Sequence, residues 1–138
     1  MIEVKFYDDI EDRLLKFAVI VSRHKGKWVF CKHKERNTYE CPGGRREEGE
    51  RILETARREL WEETGAVQFD LREVCVYSVT RENEETFGML YFSEVKQFEK
   101  LPPLEIEKIE FFDELPEAWT YPLIQPTLIE KIKKEKFI

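Results

Sequence analysis

Residues 43–66 read GGRREEGERILETARRELWEETGA, and the second half of this stretch fits one local structure. From Arg51 to Thr64 apolar residues recur at helical spacing. Gly65 supplies a left-handed stop, and Pro42, Gly43 and Gly44 keep the helix from starting earlier. An α-helix turns about 100° per residue. With Glu59 at zero, Glu63 falls at about 40° and Glu62 at about −60°, while Ile52, Leu53, Ala56 and Leu60 fall between roughly 20° and 120°. The three carboxylates therefore stand at the edge of the apolar face. A solvated amphipathic helix keeps its acids on the opposite side.

That placement costs energy. Glu59 and Glu63 repel each other at i,i+4, and the C-terminal half of a helix disfavours negative charge. Two readings follow. Arg51, Arg57 and Arg58 balance the acids on a solvated helix, or a divalent cation does. A hard cation such as Mg²⁺ takes carboxylates, backbone carbonyls, waters and phosphates as ligands, and the Gly-Gly turn ahead of the helix can offer a bare carbonyl. Glu50 and Arg58 make a plausible pair tying the loop to the helix.

The rest of the chain frames this helix. Residues 2–7, 14–22 and 28–33 read as strands, the last two joined as a hairpin by HKGK. Residues 34–40 read as a loop, 67–82 as one long strand able to bend, and 86–95 and 106–112 as further strands. Residues 123–137 close as an amphipathic helix. The order of elements predicts an α/β or α+β arrangement, a mixed sheet with helices packed on it. The length, 138 residues, suits one domain over 1–138. The net charge of −6 argues against duplex nucleic acid as a partner. Cys31, Cys41 and Cys75 have neither zinc-like nor paired spacing, so free thiols in a reducing compartment are expected. The start, MIEVKFYDDIEDR, is acidic where a signal peptide is basic. The longest apolar run near it, FAVIV, cannot span a bilayer. A cytoplasmic location without membrane contact is the expectation.

The spacing Gly44, five residues, Glu50, seven residues, Arg58-Glu59-Leu60, one residue, Glu62-Glu63, one residue, Gly65-Ala66 resembles the Nudix box, Gx5Ex7REUxEExGU, where U is a bulky aliphatic. Every fixed position matches. The one departure is Ala66, where the family has a larger aliphatic residue. Pro42-Gly43, the upstream hairpin and EIEKIEFFDELP (105–116) are also similar to Nudix domains. The resemblance implies an α/β/α sandwich around a mixed β-sheet and hydrolysis of a nucleoside diphosphate linked to another group, with Mg²⁺ or Mn²⁺.

It also implies roles for residues. Glu59, Glu62, Glu63 and the Gly43 carbonyl would ligate metal. Gly44, Glu50, Arg58 and Gly65 would be structural. The water's proton would pass to a carboxylate, either Glu59 of the box or a loop acid, for which Glu105 is the candidate and Glu107 the fallback. Glu105 also reads as an exposed acid before a strand. Arg45 and Lys32 could reach phosphates. Trp119 and Tyr121 could stack on a base or simply pack. Residues 78–84, SVTRENE, lack the proline of ADP-ribose pyrophosphatases. The tyrosine of diadenosine-polyphosphate hydrolases and a coenzyme-A signature are missing too. By elimination the chain looks like MutT-type nucleoside triphosphate pyrophosphohydrolases, with 8-oxo-dGTP as leading substrate. RNA 5′-pyrophosphohydrolysis is the alternative, and a non-catalytic nucleotide sensor the reading from another class. A monomer or homodimer acting on a small nucleotide is expected.

Overall fold

The computed structural model describes residues 1–138. Strands β1 (Ile2–Tyr7), β2 (Leu15–His24), β3 (Lys27–His33), β4 (Gly43–Arg45), β5 (Ala66–Phe69), β6 (Arg72–Arg81), β7 (Glu84–Phe98) and β8 (Ile106–Phe112) accompany helices α1 (Ile52–Thr64) and α2 (Gln125–Lys134). The main sheet runs β1-β6-β7-β2-β3-β8, with β4 on β2 and β5 on β7. It is mixed, because β2 and β7 pair in parallel at its centre while the other pairings are antiparallel.

Strand alternation builds the two faces. Ala18 and Ile20 of β2 and Met89 and Tyr91 of β7 lie under Ile52, Ala56 and Leu60 of α1. Val21, Leu90 and Phe92 point the other way, against Leu128, Ile129 and Ile132 of α2. The result is the α/β/α sandwich. No helix is long and apolar enough to cross a membrane.

Two features position the site. The hairpin partner β3 takes only Ser22–His24 of β2, so the earlier segment Phe17–Val19 is free to pair with β4. Gly65 closes α1 at φ 77°, with its N–H donated to the Trp61 carbonyl at 2.8 Å. That left-handed geometry suits glycine.

Some boundaries differ from the sequence expectation. The Gly-Gly segment, expected as a turn ahead of the helix, is a short strand. Residues 67–82 are not one bent strand. The chain breaks at Asp70 and Leu71, where the Asp70 carboxylate accepts from the Glu94 N–H at 3.0 Å and its carbonyl from Ser93 Oγ at 2.7 Å. Those side-chain bonds replace ladder bonds, so β5 and β6 pair separately with β7. The terminal helix starts at Gln125 rather than 123, with Pro126 in its first turn, where a missing N–H costs nothing.

Candidate active site

In the β2–β4 ladder, Ile20 N–H donates to the Pro42 carbonyl and Arg46 N–H to that of Lys16. Antiparallel alternation then turns the N–H and C=O of Gly43 and Arg45 away from β2, toward α1. Both find partners there. Gly43 N–H donates to Glu63 Oε1 at 2.8 Å, and the Arg45 carbonyl accepts from Arg58 Nη2 at 3.0 Å.

Arg58 organises the acids. Its Nε and Nη2 clasp both Glu50 oxygens at 2.6 and 3.1 Å, and its Nη1 donates to Glu59 at 2.6 Å and Glu62 at 3.0 Å. This bidentate clasp suits a planar guanidinium. It holds the Glu50 carboxyl well below the usual range, at about 2. Glu50 also accepts from Thr55 Oγ1 and the Glu47 N–H, so the loop is fixed to the helix start.

Glu63 is buried. Burial is the main cause that pushes its carboxyl up to about 9. The Gly43 N–H opposes this, and the charges of Glu59, Glu40 and Glu105 add to it. Glu59 is raised as well, first by burial, with Arg58 acting against it.

The donor set fits a divalent cation. It consists of hard carboxylate oxygens on one helix edge beside an outward-turned backbone carbonyl. Glu59 and Glu62 already share one cationic group, the Arg58 guanidinium. The carboxylates do not close into a three-acid cage by themselves, since Glu63 is turned to Gly43 while the other two face Arg58.

On the other side of β4 opens a cleft of about 280 Å³, lined by Phe17, Gly43, Gly44, Arg45, Tyr77 and Tyr121 among others. Arg45 lies at its edge with the guanidinium 5.1 Å from the Phe17 ring. Tyr77 and Gln125 are buried at its floor. Gln125 Oε1 accepts from the Cys41 N–H at 2.7 Å, which leaves its amide NH₂ as the end available to a ligand.

The remaining sequence candidates fall apart spatially. Lys32 Nζ donates to Glu107 at 2.7 Å, so each of the two neutralises the other. Trp119 does not line the cleft. It packs edge-on against Phe30 at 5.2 Å within the α2-side core, the common fate of such an aromatic. Tyr121 lines the cleft and is 37% exposed. Glu105 lies just before β8 with an exposed side chain. Sequence reasoning missed Phe17, Tyr77 and Gln125. Nothing local marks them, because three separate elements carry them into the cleft.

A family model for the NUDIX domain matches residues 12–130. YtkD of Bacillus subtilis (strain 168), whose name provisionally makes it an 8-oxo-dGTP diphosphatase, is 32% identical over 117 residues, 84% of this chain and 73% of that one. A mutant of the Bacillus subtilis pyrophosphohydrolase BsRppH superposes with a TM-score of 0.83 at 28% identity, covering 99% of this chain and 92% of that one. A MutT Nudix hydrolase from Burkholderia pseudomallei superposes with a TM-score of 0.66 at 20% identity, covering 84% and 95%, a likeness of fold. Enzymes of this family generally use divalent metal ions and act on small nucleotides. With its box intact and its sandwich superposing on theirs, the chain belongs to the Nudix family and is a hydrolase of phosphoanhydride bonds.

Proposed function

We propose that the chain hydrolyses a nucleoside triphosphate to the monophosphate and pyrophosphate, with Mg²⁺ as metal and Mn²⁺ as a substitute. The observation that carries this reading is the position of β4. Its glycines touch Glu63 and Glu59 on one side and form the wall of an aromatic cleft on the other. A diphosphate crossing β4 would join a nucleoside in the cleft to the acids of α1.

In this reading Glu59, Glu62, Glu63 and the Gly43 carbonyl hold the cation. When bound, divalent ions neutralise the diphosphate, polarise its phosphoryl oxygens and make water a better nucleophile. Arg58, clasped by Glu50, fixes the side chains of Glu59 and Glu62 so that they need little reorganisation. Glu105 accepts the proton of the attacking water, with Glu59 as the substitute. Arg45 at the cleft edge takes the phosphate chain as a charge-assisted donor. Lys32 does so only by leaving Glu107. Phe17 and Tyr121 offer faces to the base, and the Gln125 amide donates to an acceptor on its edge.

Oxidised purine triphosphates of the 8-oxo-dGTP kind are the first substrate reading, in line with the name of the 32% identical relative. A triphosphorylated RNA end is the second. It is favoured by the rim of the cleft, where the exposed Tyr121 leaves a path for a continuing chain. Turnover of 8-oxo-dGTP, dGTP and a 5′-triphosphorylated oligoribonucleotide, each with Mg²⁺, Mn²⁺ or EDTA, tests the proposal. Pyrophosphate release that needs metal supports it. Release undiminished in EDTA overturns it.

A further inference from the structure

His33 ends β3, and its imidazole stands between two carboxylates of unlike setting. Nε2 lies 3.6 Å from Glu40 Oε2, and Nδ1 lies 4.0 Å from Glu105 Oε2. Glu40 is buried. Its other oxygen accepts from Arg36 at 3.2 Å, and its backbone exchanges both hydrogen bonds with Cys31 of β3. It is a fixed brace.

Glu105 is the reverse. Its backbone is anchored, since its carbonyl accepts from the Lys34 N–H at 3.1 Å and the next residue, Ile106, pairs with His33 in the β3–β8 ladder. Its side chain is 82% exposed, and His33 is the one basic side chain within ion-pair reach of it. An unrestrained glutamate samples many rotamers, and ordering it opposes any reaction that needs one of them. The strand that Glu105 leads into, β8, nonetheless packs against α1, and the charges of Glu105 and Glu40 reach Glu63.

We propose that His33 is a positioning residue for Glu105, its ring braced on buried Glu40 through Nε2 and holding the Glu105 carboxylate through Nδ1. The inference rests on the reading of Glu105 as proton acceptor. Both partners are carboxylates, which only accept, so each contact needs a proton on the ring nitrogen that makes it, Nε2 for Glu40 and Nδ1 for Glu105, and this sets the test. An asparagine amide nitrogen takes the place of Nδ1, and a glutamine amide nitrogen that of Nε2.

His33→Asn, His33→Gln and Glu105→Gln, singly and combined, would be assayed for kcat and KM on the fastest substrate of the screen above. Mg²⁺ binding and the thermal midpoint would be measured alongside. His33→Gln should lower kcat about 10-fold with KM and Mg²⁺ affinity kept, and should cost nothing further in the Glu105→Gln background. His33→Asn should stay within about 3-fold of the parent, since the Glu105 contact survives. Equal losses in the two variants, or full additivity with Glu105→Gln, would overturn the role of His33 alone. Normal turnover in Glu105→Gln by itself would remove the base assignment as well. His33→Ala in both backgrounds makes the same comparison should His33→Gln fail to fold.

Discussion

The Glu59 carboxylate lies directly against the backbone of Gly44. A methyl group at Gly44 would fall 2.5 to 2.7 Å from both Glu59 oxygens, well inside van der Waals contact. The glycine that opens the box is thus needed by the glutamate fifteen residues later, because only a bare Cα lets the carboxylate reach the β4 edge. Gly44→Ala should fold, since the clash can be relieved by rotating the Glu59 side chain. The displaced carboxylate should lower kcat by about 10²-fold, the cost of an ångström-scale misplacement. Steady-state kinetics beside a thermal melt check this. A variant with parental kcat would mean that Glu59 does not act from the position seen.

Arg58 supports three acids at once, and a lysine cannot reproduce its fork. Arg58→Lys keeps the charge but gives up the bidentate grip on Glu50 and at least one of the bonds to Glu59, Glu62 and the Arg45 carbonyl. A loss of about 1–3 kcal/mol in unfolding free energy at neutral pH is expected, read from the urea midpoint. The acid limb should also shift. Glu50 is held at about 2 against an ordinary 4.5, so its stabilisation is present above pH 4.5 and lost as pH falls toward 2. In Arg58→Lys this acid-side loss should shrink, and an unchanged acid limb would count against the pairing.

How much of this could be read from the chain depended on range in sequence. The placement of Glu59, Glu62 and Glu63 at the apolar edge of α1 follows from helical periodicity, and the Gly65 stop follows from backbone chemistry. Both are local. The break at Asp70 was hidden, because the Ser93 and Glu94 bonds that cause it come from a strand more than twenty residues away. The cleft was hidden for the same reason. Phe17, Tyr77 and Gln125 meet only once β2, β6 and α2 are packed. Trp119 and Tyr121 look alike in sequence, two residues apart, yet one turns into the core and the other to the cleft.

That divergence can be measured. Trp119→Ala should cost roughly 1–3 kcal/mol of stability through lost packing on Phe30, with KM for the folded fraction unchanged. Tyr121→Ala should leave the melt within about half a kcal/mol and raise KM with kcat nearly kept, the signature of lost uniform binding. The reverse pattern would move the base contact from Tyr121 to Trp119.

Glu63 gives the pH dependence its sign. In the metal-free chain its carboxyl is pushed up to about 9 from 4.5. Between those values the folded state keeps a proton that the unfolded state has lost. Stabilisation from this group is therefore whole below about pH 4.5 and is withdrawn as pH rises toward 9. A divalent cation needs the carboxylate, so binding expels the proton and tightens with pH. In EDTA the thermal midpoint should fall from pH 5 to pH 9, and excess Mg²⁺ should recover more of it at the alkaline end. Glu63→Gln mimics the protonated side chain. It should flatten the EDTA profile, exceed the parent's stability at pH 9 and abolish the gain from Mg²⁺, while kcat drops by several orders of magnitude. Glu54→Gln is the control. Glu54 is exposed on the far side of α1 and caps the helix by accepting the Arg51 N–H at 2.8 Å, a bond that a glutamine oxygen keeps. Its profile and turnover should match the parent's. The same pH slope in parent and Glu63→Gln would show that the buried proton sits elsewhere, and full turnover in Glu63→Gln would return α1 to a solvated charged helix.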